Sequence, residues 1–95
     1  MRADLLFQYR FDYDDGAIVE MVIWQVPRPV PPSAHNIKYR LFYGRAGIRM
    51  VGYDNERGKG DHRHLRGVET PCVFTSVEQL MDDFWVDVHG LRGVK

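Results

Sequence analysis

The sequence predicts an α+β domain: an antiparallel meander sheet of four to five strands, built from two hairpins, with a C-terminal α-helix packed on one face. Three observations predict this fold. Apolar and polar residues alternate with the period of a strand in much of the chain, glycine-bearing turns divide these segments into pairs, and the end of the chain changes to a helical period. With 95 residues the chain has the length of one domain, so we expect a single unit over 1–95, with the sheet region in 1–74 and the helix in 75–91.

The first predicted hairpin joins strands over residues 3–13 and 17–26. In the first strand, apolar or aromatic residues alternate with polar ones, which is typical of a half-buried strand. The second strand, AIVEMVIWQV, is apolar on both faces for most of its length, which indicates a more central position in the sheet. The sequence DDG at 14–16 predicts the turn, because glycine adopts positive φ at no steric cost.

A proline-rich segment, PRPVPP at 27–32, separates this hairpin from the next. Proline cannot donate a hydrogen bond to a sheet, so we interpret the segment as a stiff, extended connection; a ligand for an SH3-like domain is the functional alternative. The second hairpin is predicted over 37–43 and 48–54, around a turn at 44–47. A short strand over 68–74 accounts for the fifth, and Pro71 breaks it or displaces it to an edge of the sheet.

The C-terminal helix is predicted from its cap and its apolar stripe. Thr75 or Ser76 caps it, with an acid or amide side chain three residues further on, as in a capping box. Gly90 is the predicted stop. We interpret Trp24 and Trp85 as core residues. The stripe consists of Val77, Leu80, Met81, Phe84, Val88 and Leu91.

Composition restricts the classes of function. The chain has 13 Lys and Arg against 13 Asp and Glu, which disfavours a globally basic nucleic-acid binder and leaves only a local basic patch for that role. Cys72 is the only cysteine, so neither an internal disulfide nor a thiolate zinc site can form within one chain. No apolar run has the length of a signal peptide or a membrane span. We therefore expect a soluble, cytoplasmic protein with no membrane partner.

Chemistry or recognition is predicted to centre on YDNERGKGDHRH, residues 53–64, most of which falls in a predicted charged loop over 54–66. The segment mixes acids and bases around two glycines. His62 and His64 lie two residues apart, so on an extended backbone both imidazoles point to the same face with their Cβ atoms about 6.5–7 Å apart. Such a gap suits a phosphate between the two rings or one metal ion.

The first hypothesis for this segment is metal-independent RNA cleavage. That reaction needs a base for the 2′-hydroxyl proton, an acid for the leaving 5′-oxygen and cations for the phosphorane. His62 and His64 are assigned as acid and base, with Lys59 and Arg57 stabilising the phosphorane. No cofactor is expected. The remaining candidates are Arg63, Arg66, Gly58 and Gly60 for substrate binding, and Asp54, Glu56 and Asp61 for orienting an imidazole.

Three alternatives remain open for the same residues. His62 and His64, with Asp61 or Asp54, form a reasonable ligand set for a divalent metal, but four neighbouring cations disfavour it and no metal is assigned. A charged, glycine-rich segment is also typical of a solvated surface with weak ion pairs. A third alternative is a binding module without catalysis, which grips RNA or a protein partner. The other two histidines, His35 and His89, are assigned to no site.

Four stretches of the chain resemble one known family. They are VGYDNERGKGDHRH at 51–64, FTSVEQL at 74–80, DGAIVEMVIW at 15–24 and KYRL at 38–41, and together they span most of the sequence. The chain resembles the TumE-type toxins of bacterial and archaeal toxin–antitoxin modules. The charged string is long and unusual in composition, which makes the resemblance specific.

The resemblance implies a small toxin that is encoded beside a helix-turn-helix antitoxin. It also implies growth arrest through attack on RNA or translation, neutralised when the antitoxin binds. The residue roles given above come from the chemistry of the side chains and not from the family. The sequence leaves the oligomeric state open, including a homodimer with a site shared between two chains.

Overall fold

A computed structural model describes residues 2–93, which form a six-stranded antiparallel sheet and one helix. The strands pair in chain order as a meander, which confirms the predicted class and topology, although the sheet has six strands and not four to five. Residues 1, 94 and 95 of the predicted domain lie outside the described residues. The elements are β1 (Asp4–Asp12), β2 (Ala17–Gln25), β3 (Ile37–Arg45), β4 (Ile48–Glu56), β5 (Gly60–Leu65), β6 (Val68–Pro71) and α1 (Val77–Arg92).

The predicted charged loop over 54–66 is wrong, and it accounts for the additional strand. Its first residues end β4, its last residues form β5, and a short turn over 57–59 joins them, with Glu56 paired to Gly60. The segment has no apolar alternation because polar side chains lie on both faces of β5. Strand pairing satisfies the backbone groups of such a segment as well as those of an apolar one.

Two of the turns are tighter than the sequence suggests. Arg45 still pairs with Ile48, so the turn between β3 and β4 contains only residues 46–47, and both have positive φ, at 54° and 79°. Residues 66–67 join β5 to β6 in the same way, with φ of 50° and 84°. Two successive residues of this conformation match the twist of an antiparallel hairpin, and glycine takes the second position each time.

The helix begins as predicted but ends later. The Ser76 hydroxyl accepts a hydrogen bond from a backbone N–H of the first turn at 3.1 Å, which confirms the cap. The predicted stop at Gly90 is wrong, because the left-handed residue that ends the helix is Gly93, with φ 72°. The additional turn brings Arg92 over the ring of Tyr13, 3.7 Å from its centroid, which anchors the end of the helix on the sheet.

One face of the sheet, called here the helix face, packs against α1, and the opposite side is the open face. Trp85 packs beside the core, but the prediction that Trp24 is core is wrong. Because Ile23 points into the core, strand alternation places Trp24 on the open face, where it is half-buried. The core consists of Ala17, Val19, Met21, Ile23, Tyr39, Leu41, Tyr43, Val51, Tyr53, Leu80, Phe84 and Val88.

The proline-rich connection packs against the tip of the β4–β5 hairpin. The N–H of Gly58 donates to the carbonyl of Pro31 at 2.9 Å. A Cβ atom at Gly60 would lie 3.1 Å from Cγ of Pro32, so the close approach depends on glycine at this position. The connection therefore braces the hairpin that carries the charged segment. Among the described residues, no helix is both long enough and apolar enough to span a membrane.

Replacing Phe84 with alanine tests the packing of α1 on the sheet. The Phe84 side chain is 0% exposed, so we expect Phe84→Ala to lower the free energy of unfolding by about 3–5 kcal/mol in chemical denaturation. Val86→Ala on the same helix is the control, since Val86 is 69% exposed and its loss is expected to change stability by about 0.5 kcal/mol or less. Equal effects of the two substitutions would contradict this packing.

Candidate functional site

The pairing of β4 with β5 places both histidines of the charged segment on the open face. Asp54 lies opposite His62 and Gly52 lies opposite His64 in this register. Since β5 is extended, side chains two residues apart share a face, as the spacing of the histidines predicts. Arg49 and Glu69 complete a polar group of side chains, called here the open-face cluster.

His62 and Asp54 form a buried acid–imidazole pair. The His62 residue is 8% exposed and Asp54 6%, and His62 Nε2 lies 2.6 Å from Asp54 Oδ1. This oxygen has no regular hydrogen bond to any described residue, so the ion-pair contact alone compensates its burial. Burial raises the pKa of Asp54, and the neighbouring imidazole offsets only part of that rise.

The contacts of the two His62 ring nitrogens show where their hydrogens lie. Its Nδ1 lies 3.1 Å from the carbonyl oxygen of Gly60, which can only accept, so Nδ1 carries a hydrogen. A lone pair on Nε2 would repel the carboxylate at 2.6 Å. One proton must therefore lie between Nε2 and Asp54, held by either group. The pair therefore holds one hydrogen between two atoms that can each accept it.

Arg49 fixes the tautomer of His64. The guanidinium Nη2 lies 3.2 Å from His64 Nδ1, and because arginine only donates, Nδ1 must accept. The neutral ring therefore carries its hydrogen on Nε2, away from Arg49. Gly52 makes room for this arrangement, since a Cβ atom there would lie 2.8 Å from Cδ of Arg49. The same guanidinium lies 3.8 Å from Asp54 and 3.6 Å from Glu69.

Sequence reasoning missed Arg49 because of an irregularity in β4. Simple alternation from Asp54 would place Arg49 on the helix face, five residues away. A register shift between Tyr43 and Gly44 adds one residue to β4 and returns Arg49 to the open face. The one signal in the sequence is Gly44, where a Cβ atom would lie 2.3 Å from the carbonyl oxygen of Ile48.

The structure separates Arg63 from the other predicted site residues. Its side chain lies on the helix face, where Nε and Nη2 donate to the two Asp87 oxygens at 2.8 and 2.7 Å. The Tyr53 hydroxyl donates to the same carboxylate at 2.6 Å. Burial and the hydrogen bond to Asp87 raise the pKa of Tyr53, and the hydrogen bonds to Asp87 raise the pKa of Arg63. Arg63 thus ties α1 to the sheet, and its donors are not directed at the open face.

The remaining predicted cations lie in turns. Arg57 and Lys59 are exposed at the tip of the β4–β5 hairpin, beside the exposed Glu56, and Arg66 is at the opposite end of β5. The Gly58 N–H already donates to the proline-rich connection, so the backbone here does not present a free pair of donors to a phosphate. Of the predicted residues, the structure brings together His62, His64 and Asp54.

Asp61 takes part in a separate network on the helix face. Its Oδ2 accepts hydrogen bonds from His35 Nε2 and from the Tyr39 hydroxyl, both at 2.7 Å, and its Oδ1 accepts one from Ser33. Asp61 therefore does not orient His62 or His64, contrary to the role predicted for it. The His35 ring also stacks on Phe74 with centroids 4.0 Å apart, which locks the connection against the sheet.

The network also sets the ionisation of Asp61 and the tautomer of His35. His35 Nδ1 accepts from the N–H of Ile37 at 3.2 Å, so its hydrogen is on Nε2 and points to Asp61. Burial opposes ionisation of Asp61, but the hydrogen bonds from Ser33, Tyr39 and His35 outweigh it and lower its pKa below the ordinary 3.8. Within residues 2–93, no three His, Cys, Asp or Glu side chains are grouped as a metal site.

Replacing Gly52 with alanine tests the position of the Arg49 side chain. We expect Gly52→Ala to move the guanidinium off His64, at a cost of about 1 kcal/mol or less because only a flexible side chain must shift. Imidazole ¹⁵N shifts should report loss of the fixed Nε2–H tautomer of His64. Arg49→Ala should give the same change, whereas Arg45→Ala at the end of β3 should not. Unchanged shifts in Gly52→Ala would contradict the contact.

Replacing Asp61 with asparagine tests the lowered pKa. A group with a lowered folded-state pKa stabilises the fold above its unfolded pKa near 3.8 and loses this effect as pH falls through the folded value. We expect Asp61→Asn to reduce the free energy of unfolding by about 1–3 kcal/mol at pH 7. The difference from the parent should shrink below about pH 4. The raised pKa of Asp54 has the opposite effect on the pH dependence of stability, but it is present in both proteins and cancels in the difference between them. The exposed Asp82→Asn serves as the control, and a difference that does not depend on pH would exclude this account.

Comparison with known proteins identifies a family that the chain matches. The model of a family described as toxin TumE matches residues 2–92, nearly the entire chain. No curated protein and no solved structure matches the chain. The matched range includes the whole sheet and the helix, so it covers both the open-face cluster and the Asp61 network. On this match, the chain belongs to the TumE toxin family.

Proposed function

We propose that this toxin acts on RNA as a metal-independent endoribonuclease whose site is the open-face cluster. The family supplies the toxin role, and the reaction is our inference from the side chains. The observation that carries it is the placement of His64, held as an Nε2–H donor by Arg49, beside a carboxylate–imidazole pair that shares one proton. An acid, a base and a cation then lie on one sheet surface, as cleavage of a phosphodiester requires.

The proposed reaction is attack of a 2′-hydroxyl on the adjacent phosphorus. The 2′-oxygen forms a bond to phosphorus, and the bond from phosphorus to the 5′-oxygen breaks, leaving a 2′,3′-cyclic phosphate and a 5′-hydroxyl. The Asp54–His62 pair accepts the 2′-hydroxyl proton at Asp54 Oδ2, because the 2.6 Å gap between His62 Nε2 and Asp54 Oδ1 already holds one hydrogen and has no space for a second. His64 passes its Nε2 hydrogen to the departing 5′-oxygen, and the adjacent Arg49 guanidinium stabilises the negative charge that this leaves on the ring.

The cations divide between the reacting phosphate and its neighbours. Arg49 contacts His64 and approaches Asp54, so we assign it to the developing negative charge of the phosphorane. Lys59 and Arg57 were the candidates for this role from the sequence. Their position at the exposed hairpin tip favours contacts to flanking phosphates, where a positive side chain raises affinity without ordering the reacting centre.

A toxin of this kind has an antitoxin partner, and the family membership supports such a partner in general terms. We extend the proposal to a helix-turn-helix antitoxin encoded beside the toxin, with both proteins acting in the cytoplasm where the RNA is. A neighbouring gene for a protein of another class, with no effect on growth arrest, would count against this partner. We propose that the free toxin is a monomer or a homodimer and that the antitoxin binds it.

A second candidate function is recognition of RNA or of the antitoxin without cleavage. One observation favours it: both ring nitrogens of His62 contact groups of the protein itself, Asp54 and Gly60, and the pair is nearly fully buried. A buried, internally satisfied pair is typical of a structural role as well as of a catalytic one. The two functions differ in whether bound RNA is cut.

Cleavage of RNA by the purified protein, with and without EDTA, tests the endoribonuclease. We expect cutting that survives EDTA and leaves a 2′,3′-cyclic phosphate. His62→Ala and His64→Ala should each slow it by about 10²–10⁴-fold, the usual contribution of a general acid or base. His89→Gln is the matched control, since His89 lies on α1, stacked on Trp85. Parental rates in both alanine variants would refute the assignment, and binding without cutting would establish the second function.

A further inference from the structure

The open face of β2 and β3 carries an unusual set of side chains. The solvent side of an antiparallel sheet normally presents polar residues. Here the half-buried Trp24 and Val22 lie on that side and line a shallow depression together with Lys38 and Arg40. This surface, called here the Trp24 platform, combines an aromatic ring with two cations.

The charges of the platform are available to a ligand. Within residues 2–93, neither Lys38 nor Arg40 forms an ion pair with a carboxylate; Arg40 instead lies over the ring of Phe42, 5.5 Å from its centroid. The acids nearby are already engaged, since Asp54 pairs with His62 and Glu20 lies 3.5 Å from Arg10. The platform therefore complements an anionic ligand that has a flat apolar part.

The platform is continuous with the open-face cluster. In the sheet register, Arg40 lies opposite Asp54, which lies opposite His62. Adjacent strands are about 4.8 Å apart, so Arg40 and His62 are separated by two strand spacings, or about 10 Å. Between them lie Asp54 and, over Gly52, the side chain of Arg49. One nucleic-acid strand can contact both surfaces at once.

We propose that the Trp24 platform is the subsite that holds single-stranded RNA beside the cleaved bond. Trp24 stacks on an unpaired base, and Lys38 and Arg40 bind the adjoining phosphates. Stacking on an aromatic side chain accepts every base, and salt-dependent phosphate contacts accompany it in proteins that bind single strands. A duplex cannot use the subsite, because its bases are already stacked within the helix. The inference rests on the proposed action on RNA.

Fluorescence of Trp24 gives a direct test. The chain has two tryptophans, so Trp85→Phe leaves Trp24 as the only one, and His64→Ala keeps the RNA intact during the titration. We expect single-stranded RNA to quench the Trp24 emission to saturation and an RNA duplex of equal length to quench it much less. The same binding, followed by anisotropy of labelled RNA, should weaken about tenfold in Trp24→Ala and stay near the parental value in Trp24→Phe.

Further variants distinguish an effect on RNA binding at the platform from an effect on folding or on cleavage. Lys38→Ala should weaken binding of all sequences and reduce the slope of log K against log salt by about one. Ile18→Ala, farther along the same face of β2, should leave binding unchanged. Cleavage that continues at the parental rate, with RNA affinity unaffected in Trp24→Ala, overturns the subsite and leaves the endoribonuclease standing. Absence of RNA binding by the parental protein overturns both, and quenching by the antitoxin alone would assign the surface to a protein partner.

Discussion

The pairing of β4 with β5 is the constraint on which both polar clusters depend. It sets Asp54 opposite His62 and Tyr53 opposite Arg63, so consecutive residues of the same strands point to opposite faces. On the helix face, Arg63 reaches Asp87 and ties α1 to the sheet. On the open face, the imidazole meets a carboxylate. A slip of one residue would exchange the two sets and turn the charges toward the core, so the core fixes the register that assembles the site.

Two aspartates of this hairpin show how hydrogen-bond donors decide ionisation. Asp61 and Asp54 are both largely buried, and burial favours the neutral form of each. Asp61 accepts three side-chain hydrogen bonds, which lower its pKa despite its burial. Asp54 has one close contact, with His62, and its pKa is raised. The first carboxylate is suited to holding the proline-rich connection in place, and the second to exchanging a proton.

The two faces of the sheet thus differ in purpose. The helix face contains the apolar core together with the Arg63 and Asp61 contacts, each of which fastens one element to the sheet. The open face carries the groups that the fold does not need for its packing, including the fixed Nε2 donor of His64 and the Trp24 platform. A domain of this size has little room for a deep cavity, so the proposed RNA ligand is assigned to a broad sheet surface.

Local sequence signals determined much of this protein. Alternation, glycine turns and the Ser76 cap were sufficient for the meander topology and the helix but not for β5, and the two-residue spacing put His62 and His64 on one face. Only the tertiary structure decided which distant groups meet them. The partners of Asp61 lie 22 to 28 residues earlier in the chain, and Arg49 reaches His64 through a register shift that periodicity conceals. Periodicity records which residues share a face, whereas strand pairing and packing across the chain decide which face it is and what lies there.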